Sequence, residues 1–264
     1  MSPSPRLALP YHAWLIDMDG VIYRGRQALP AAAAFIHALQ AGDHPFLFLT
    51  NNATKTPAQN AQHLAQIGIH VPPASIFTAA LAAAAYLQQQ LPPPARVLII
   101  GGKGIQQALP AAGYEVVTQA DAAEIVVSGL DQQVCYAQLA EAALAIRRGC
   151  PWIATNPDPT LPSERGELPG AGALLAFLAA ASGRTPLIIG KPEPPIFAMA
   201  LARLGADAPQ TVIVGDRLET DIRGGQNAGL HTICVLTGVS SAADAAAFTP
   251  PPDHILPDLR ALLT

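Results

Sequence analysis

The stretch from Trp14 to Val21 constrains the fold of this chain most, because an apolar run ends there in two carboxylates separated by one residue. A short apolar run followed by a glycine turn is typical of a buried strand. In open parallel sheets, ligands bind just beyond the carboxyl ends of such strands. Asp17 and Asp19 are therefore predicted to lie at the mouth of a site, although Asp and Gly also occur in ordinary turns that simply end a strand.

Three later apolar runs end in polar residues in the same way. The first precedes a Thr-Asn-Asn turn, the second precedes a lysine, and the third precedes one aspartate with another five residues further on. Taken singly, these are common turns, a surface charge, or an acid favoured by the dipole in the first turn of a helix. Because they occur in order at predicted strand ends, a shared site is the better interpretation. The residues are Thr50, Asn51, Asn52, Lys191, Asp216 and Asp221.

In chain order, these patterns are Asp-x-Asp, Thr-Asn-Asn, Lys and Asp…Asp. This order resembles that of the motifs in the haloacid dehalogenase superfamily of phosphatases. The residues within the motifs resemble those of its class IIA, the NagD-like or para-nitrophenylphosphatase branch. The resemblance extends over nearly the whole chain. It implies a doubly wound, Rossmann-like α/β core with a parallel sheet, and a smaller α/β cap domain inserted into that core.

The apolar segments independently predict the α/β class. Strand and helix patterns alternate along the chain, which is typical of a parallel, doubly wound sheet. The prolines at 92–94 cannot continue a helix and indicate a stiff connector into a second domain. We therefore predict a core domain in residues 1–88 and 183–264 and a cap domain in residues 89–182, with Leu187 to Ile189 as a strand of the core.

The resemblance assigns chemical roles to the two carboxylates after the first strand. It implies that Asp17 is the nucleophile that becomes an aspartyl phosphate. Asp19 would be the acid that protonates the leaving oxygen and later the base that activates water. Within the superfamily, phosphatases and phosphomutases carry Asp two residues beyond the nucleophile, whereas ion-pumping ATPases carry Thr. Asp19 therefore favours a hydrolase or a mutase.

The resemblance also implies a Mg²⁺ site. The ion would be bound by the side chains of Asp17 and Asp216 and by the backbone carbonyl of Asp19. Such a sparse carboxylate set suits Mg²⁺, which keeps several of its waters. Asp221 would orient a metal-bound water, with the first-turn helix acid as the alternative.

The remaining motifs fit the phosphate group. Thr50, with the backbone amides of Asn51 and Asn52, resembles the cradle for the phosphate oxygens. Lys191 resembles the cation that neutralises both the nucleophile and the phosphate. Phosphoryl transfer needs such groups because catalysis of this reaction is almost entirely positioning and electrostatic stabilisation.

Two stretches of the predicted cap resemble segments that class IIA members turn toward the active site. The first contains Asn156 and Asp158, which we expect to contact the substrate. The second runs from Ser163 to Gly172. A purely structural turn is the alternative for both.

The composition argues against several other classes of protein. Charged residues make up 13% of the chain and the formal net charge is −4, so there is no basic footprint for nucleic acid. The cysteines, Cys135, Cys150 and Cys234, form no Cys-x-x-Cys pair that would indicate zinc or a disulfide framework. No apolar run approaches the roughly 18 residues of a membrane span. The apolar stretch within the amino-terminal segment is too short for the core of a signal peptide. We expect a soluble, cytoplasmic protein.

The sequence thus predicts a Mg²⁺-dependent phosphomonoesterase that acts through an aspartyl phosphate. Its substrate would be a small phosphorylated metabolite, such as a nucleoside monophosphate, a sugar phosphate or an aryl phosphate. A phosphomutase with the same residues and a catalytically silent metabolite-binding protein of the same fold are the alternatives. Related caps often pair, so a homodimer through the cap is a further expectation.

Overall fold

The computed structural model describes residues 6–163 and 165–264. In this part of the chain, strands and helices alternate as the sequence predicts. In chain order the elements are β1 (Ala13–Ile16), β2 (Tyr23–Arg24), β3 (Gln27–Ala28), α1 (Ala32–Ala41), β4 (Phe46–Thr50), α2 (Pro57–Gln66), β5 (Ile76–Thr78), α3 (Ala79–Gln90), β6 (Arg96–Ile100), α4 (Lys103–Ala111), β7 (Glu115–Val117), β8 (Ile125–Ser128), α5 (Tyr136–Arg147), β9 (Trp152–Ala154), β10 (Thr160–Ser163), β11 (Gly166–Pro169), α6 (Ala171–Ser182), β12 (Leu187–Ile188), α7 (Pro194–Leu204), β13 (Thr211–Gly215), α8 (Arg223–Asn227), β14 (His231–Val235), α9 (Ala242–Ala247) and β15 (His254–Leu256).

The chain divides into two compact units. The first unit comprises the chain up to residue 50 together with residues 57–77 and 191–264. The second comprises residues 51–56 and 78–190. The domain ranges that the sequence analysis gives stay a prediction.

A six-stranded sheet in the order β15-β14-β13-β1-β4-β5 forms the centre of the first unit. β1 pairs in parallel with β13 on one side and with β4 on the other, so that the carboxyl ends of the three strands share one edge. All four residues of β1 are apolar and buried, as expected of a strand covered on both faces. Trp14 of β1 packs against Phe35 of α1, with Phe48 of β4 in the same apolar cluster.

A five-stranded sheet in the order β12-β9-β8-β6-β7 forms the centre of the second unit, and its strand pairs are also parallel. Its apolar cluster lies between these strands and the helices α5 and α6. The α/β fold class predicted from the sequence, with parallel sheets, is confirmed.

One predicted strand belongs to the other sheet. Leu187 to Ile189 were predicted as a strand of the core, but β12 pairs with β9 of the second unit. Ile189 and Gly190 continue that pairing, since their amides donate hydrogen bonds to the carbonyls of Ala154 and Thr155. A short apolar run before a lysine has the same pattern whichever parallel sheet it joins. The pattern therefore predicts the strand and not its sheet.

Helix ends follow the local sequence signals. The Thr78 side chain accepts a hydrogen bond from the Leu81 amide at the start of α3, and the Ser241 side chain caps α9 in the same way. Gly183 ends α6 with a φ of 73°, a left-handed conformation that favours glycine. Among the described residues, no helix combines the length and apolarity needed to cross a membrane.

Candidate active site

Pairing of β1 with β13 brings two predicted carboxylates together at the carboxyl edge of the first sheet. Ile16 lies opposite Val214, and the amide of Asp17 donates a hydrogen bond of 2.9 Å to the Val214 carbonyl. Asp216 follows the last residue of β13 directly. One carboxylate oxygen from each of Asp17, Asp216 and Asp221 lies within 4.8 Å of the others, and all three residues are buried.

Lys191 binds two of these three carboxylates. Its Nζ lies 2.5 Å from an oxygen of Asp17 and 2.5 Å from an oxygen of Asp221, and it donates a third hydrogen bond of 3.0 Å to the Leu49 carbonyl. Only 2% of Lys191 is exposed. Buried ions remain charged when they are paired and hydrogen-bonded, and this ammonium group meets both conditions.

Burial raises the pKa of two carboxyl groups of the acidic cluster, those of Asp17 and Asp216, and neighbouring negative charges add to the increase. Burial raises the pKa of Asp17 well above its usual value against the opposing effect of Lys191, and the charges of Asp221 and Asp216 add to the increase. Burial, together with Asp221, raises the pKa of Asp216 to about 6. Burial alone would lower the pKa of Lys191, but Asp17 and Asp221 raise it, so the lysine stays protonated.

This donor set fits a hard divalent cation. Three buried carboxylates face one ammonium group, and Oδ1 of Asp216 is a buried oxygen to which the structure assigns no hydrogen-bond partner. A buried carboxylate oxygen is costly to leave without a partner. Carboxylate oxygens are the ligands that Mg²⁺ and Ca²⁺ prefer.

Three glycines leave room for the carboxylates. A Cβ atom on Gly20 or on Gly238 would fall on the carboxylate of Asp216, and one on Gly215 would fall on the side chain of Asp221. Gly20 also has a φ of +85°, which L-residues with a side chain rarely adopt. The acidic cluster therefore requires glycine at these three positions as well as the carboxylates themselves.

The loop after β14 holds Asp216 by hydrogen bonds, and this role of the loop was not predicted from the sequence. The amide of Val239 donates a hydrogen bond of 2.8 Å to Oδ2 of Asp216, and the amide of Ser240 donates one of 3.1 Å to the Asp216 carbonyl. The hydroxyl of Thr237 donates a hydrogen bond of 2.6 Å to the Gly20 carbonyl. The sequence does contain a signal for this loop, because the loop follows a predicted strand in the same way as Asp17 and Asp216 do. That strand, β14, is the neighbour of β13 in the sheet.

Asp19 is held differently from the other acids, because it is exposed. Its Oδ2 accepts a hydrogen bond of 3.3 Å from the hydroxyl of Tyr23. Asp221, which is predicted to orient a metal-bound water, also binds Lys191 directly. The catalytic and metal-binding roles of these residues stay predictions.

The residues predicted to hold phosphate are divided between the two units. Thr50 is buried at the end of β4 in the first unit. Asn51 and Asn52 belong to the second unit, where Oδ1 of Asn52 accepts hydrogen bonds from the amide and hydroxyl of Thr54 at 3.0 and 2.6 Å. Their role in phosphate binding stays a prediction.

The predicted substrate-contacting residues of the cap form a polar cluster within the second unit. Oδ2 of Asp158 accepts hydrogen bonds from Nδ2 of Asn156 at 2.7 Å and from Nδ2 of Asn51 at 3.4 Å. Asn156 is buried. In the second predicted stretch, β10 and β11 pair as an antiparallel hairpin, and Glu164 between them lies outside the described residues.

Comparison with known proteins supplies independent observations. Residues 14–115 match the sequence pattern of the family described as haloacid dehalogenase-like hydrolase, and residues 188–262 match a second pattern for hydrolases of this type. An acid sugar phosphatase of Staphylococcus aureus is 43% identical over 250 residues, which cover 95% of this chain and 96% of that protein.

Solved structures of similar proteins agree. NagD from Escherichia coli has a TM-score of 0.88 and 34% identity, with 95% of this chain and 98% of that chain covered. A glycerol phosphate phosphatase from Mycobacterium tuberculosis, solved in complex with magnesium, has a TM-score of 0.88 and 42% identity, with 96% of this chain and 76% of that chain covered.

Proposed function

The chain belongs to the haloacid dehalogenase-like hydrolases as a NagD-like phosphatase, and on this premise we propose that it hydrolyses small phosphate monoesters through a phosphorylated Asp17. The observation that carries the proposal is the buried contact of 2.5 Å between Asp17 and Lys191 at the carboxyl edge of the sheet. The names of two of these relatives favour sugar or glycerol phosphates as substrates.

In the first step, a carboxylate oxygen of Asp17 attacks the phosphorus atom, and the bond from phosphorus to the ester oxygen breaks. Asp19 gives its proton to that oxygen, so that the alcohol leaves as a neutral molecule. Lys191 holds the attacking carboxylate in place and offsets its charge as the phosphate approaches. A carboxylate nucleophile of this kind replaces one difficult displacement by two easier ones.

In the second step, Asp19, now ionised, takes a proton from a water molecule. The water oxygen attacks phosphorus, the bond to the Asp17 oxygen breaks, and inorganic phosphate is released. Asp17 is again a carboxylate and Asp19 is again protonated, so the enzyme is restored. Thr50, Lys191 and the amides of Asn51 and Asn52 would hold the phosphate oxygens through both steps.

We propose Mg²⁺ as the cofactor, held by the carboxylates of Asp17 and Asp216 and by the backbone carbonyl of Asp19. Bound there, the ion would neutralise the repulsion between the carboxylates and the phosphate. The buried Oδ1 of Asp216 supports this choice, as does the magnesium complex of the mycobacterial relative. Asp221 would act on this site through Lys191 and through a metal-bound water.

The cap would choose among substrates. Asn156 and Asp158 remain our candidates for contact with the alcohol part of the substrate, and pairing of two chains through the cap remains a prediction.

The test is the release of inorganic phosphate from para-nitrophenyl phosphate and from a panel of sugar phosphates, glycerol phosphate and nucleoside monophosphates. We expect release with Mg²⁺, loss of release with EDTA, and recovery when Mg²⁺ is added back in excess. Transfer of the phosphoryl group to a second sugar without release of phosphate would instead indicate a mutase. Full activity in EDTA would contradict the metal assignment.

A further inference from the structure

The side chain of Tyr23 lies behind the exposed carboxylate of Asp19. Its hydroxyl donates a hydrogen bond of 3.3 Å to Oδ2 of Asp19. Tyr23 itself is only 4% exposed, whereas Asp19 is open to solvent. An exposed acid thus accepts a hydrogen bond from a buried donor.

The turn between these residues fixes the backbone at both ends of this contact. The amide of Gly20 donates a hydrogen bond of 2.8 Å to the Tyr23 carbonyl, and the amide of Tyr23 donates one of 3.2 Å to the Met18 carbonyl. Asp19 and Tyr23 also form a bridge of the parallel type. The Cα atoms of the donor and acceptor residues therefore keep a constant separation.

Packing fixes the ring of Tyr23 as well. The ring meets that of His63 in α2 edge to face, with centroids 4.6 Å apart and an interplanar angle of 89°. Tyr23 also belongs to the apolar cluster of the first unit. Since a tyrosine side chain has two torsion angles and both are restrained by this packing, the hydroxyl is a donor at a set position.

We propose that Tyr23 is a positioning residue for the acid and base Asp19. The inference rests on the proposed function, in which Asp19 protonates the leaving oxygen. An exposed aspartate otherwise samples several rotamers. The hydrogen bond on Oδ2 selects one rotamer and fixes the plane of the carboxyl group, and with it the direction of Oδ1. In this role Tyr23 would act through Asp19 and would not itself take part in the bond changes at phosphorus.

Loss of a residue that positions Asp19 should slow substrates to different extents, depending on how much their leaving group needs a proton. Glycerol phosphate releases an alkoxide that needs a proton from Asp19, whereas para-nitrophenyl phosphate releases a stable phenolate that does not. kcat/KM reports the first step for both substrates, because that step includes departure of the alcohol. Removing the Tyr23 hydroxyl should therefore lower kcat/KM for glycerol phosphate more than for para-nitrophenyl phosphate.

The experiment compares Tyr23→Phe with Tyr11→Phe. The Tyr11 hydroxyl is also hydrogen-bonded, to Nε2 of His254 at 3.0 Å, but Tyr11 precedes β1 and so lies at the end of that strand away from Asp19. Both variants lose one hydroxyl and keep a packed ring. We expect Tyr23→Phe to lower the ratio of kcat/KM for glycerol phosphate to that for para-nitrophenyl phosphate by roughly three- to tenfold, as for loss of one typical hydrogen bond between uncharged groups. Tyr11→Phe should leave the ratio unchanged.

The same ratio in Asp19→Asn separates failure of this inference from failure of the proposed function. Asp19→Asn should lower the ratio by itself, and Tyr23→Phe added to it should lower the ratio no further. If Asp19→Asn lowers the ratio and Tyr23→Phe does not, the positioning role is wrong and the proposed function stands. If Asp19→Asn slows both substrates equally, Asp19 is not the acid and both fall.

A crystal structure of the unaltered protein gives a check that needs no variant. The Tyr23 hydroxyl should lie within hydrogen-bond distance of Asp19, and a separation beyond roughly 3.5 Å would overturn the inference even if Tyr23→Phe failed to fold.

Discussion

Lys191 and Asp17 are 174 residues apart in the chain, yet the lysine Nζ lies 2.5 Å from a carboxylate oxygen of the aspartate. The contact is buried, and the same ammonium group also binds Asp221. A residue from the last third of the chain thus offsets the charge and restrains the orientation of Asp17, which follows the first strand directly.

Replacing Asp17 by asparagine should abolish turnover and leave the fold intact. An amide has the size of the carboxylate but cannot attack phosphorus. The check is steady-state and rapid-mixing release of nitrophenol from para-nitrophenyl phosphate. Asp43→Asn, an equivalent change at an exposed position of the same unit, should retain full activity. A burst of nitrophenol from well-folded Asp17→Asn protein would contradict the assignment of the nucleophile.

Lys191→Met should destabilise the protein as well as inactivate it. Removal of the ammonium group leaves Asp17 and Asp221 buried without their counter-ion, which typically costs about 3 kcal/mol or more of the free energy of unfolding. Urea denaturation of the metal-free protein measures this loss. Adding Asp221→Asn to Lys191→Met removes one of the unpaired charges, so it should recover part of the stability and none of the activity. No gain from the second change would mean that the charges are not the cause.

Mg²⁺ should stabilise the protein more at high pH than at low pH. Burial raises the pKa of Asp216 to about 6, above the usual value of about 4. Between pH values of about 4 and about 6, the carboxyl group of Asp216 therefore binds more protons in the folded metal-free protein than in the unfolded chain. This carboxyl group stabilises the folded state at low pH, and that stabilisation is lost as the pH rises through about 6. A cation binds the ionised form and restores stability there.

Melting temperatures of EDTA-treated protein, with and without excess Mg²⁺, test this at pH 5 and pH 8. We expect a rise of several degrees at pH 8 and little change at pH 5. Asp216→Ala should reduce the rise and shift the Mg²⁺ concentration for half-maximal turnover to higher values. An equal rise at both pH values that survives Asp216→Ala would place the cation elsewhere.

Gly238→Ala should impair metal binding although Gly238 contributes no ligand. Its new methyl group would fall on the carboxylate of Asp216, so that either the loop or the carboxylate must move. We expect a higher Mg²⁺ requirement and a lower melting temperature. Val239→Ala is the matched control, because Val239 is 64% exposed and its amide, which binds Asp216, is retained. If the two variants behave alike, the space at Gly238 is not needed.

The sequence predicts part of this site because parallel strands end at a common edge. Asp17 and Asp216 follow two apolar runs, and the pairing of β1 with β13 makes them neighbours. The resemblance implies that Lys191 neutralises Asp17, but its contact with Asp221 was not predicted, since a lysine after a strand carries no sign of every carboxylate that it will meet. The contact of Tyr23 with Asp19 depends on a hairpin strand of two residues, too short to produce a periodic pattern. The sheet to which β12 belongs was mistaken for a different reason, because a short apolar run does not indicate which parallel sheet it joins.

The glycines at 20, 215 and 238 also restrict how this protein can vary. A mutational scan scored by activity should find these three positions as intolerant as Asp17 and Asp216, and alanine should be nearly as harmful there as a large residue. Libraries intended to change the substrate range should therefore leave these three glycines untouched and diversify positions elsewhere.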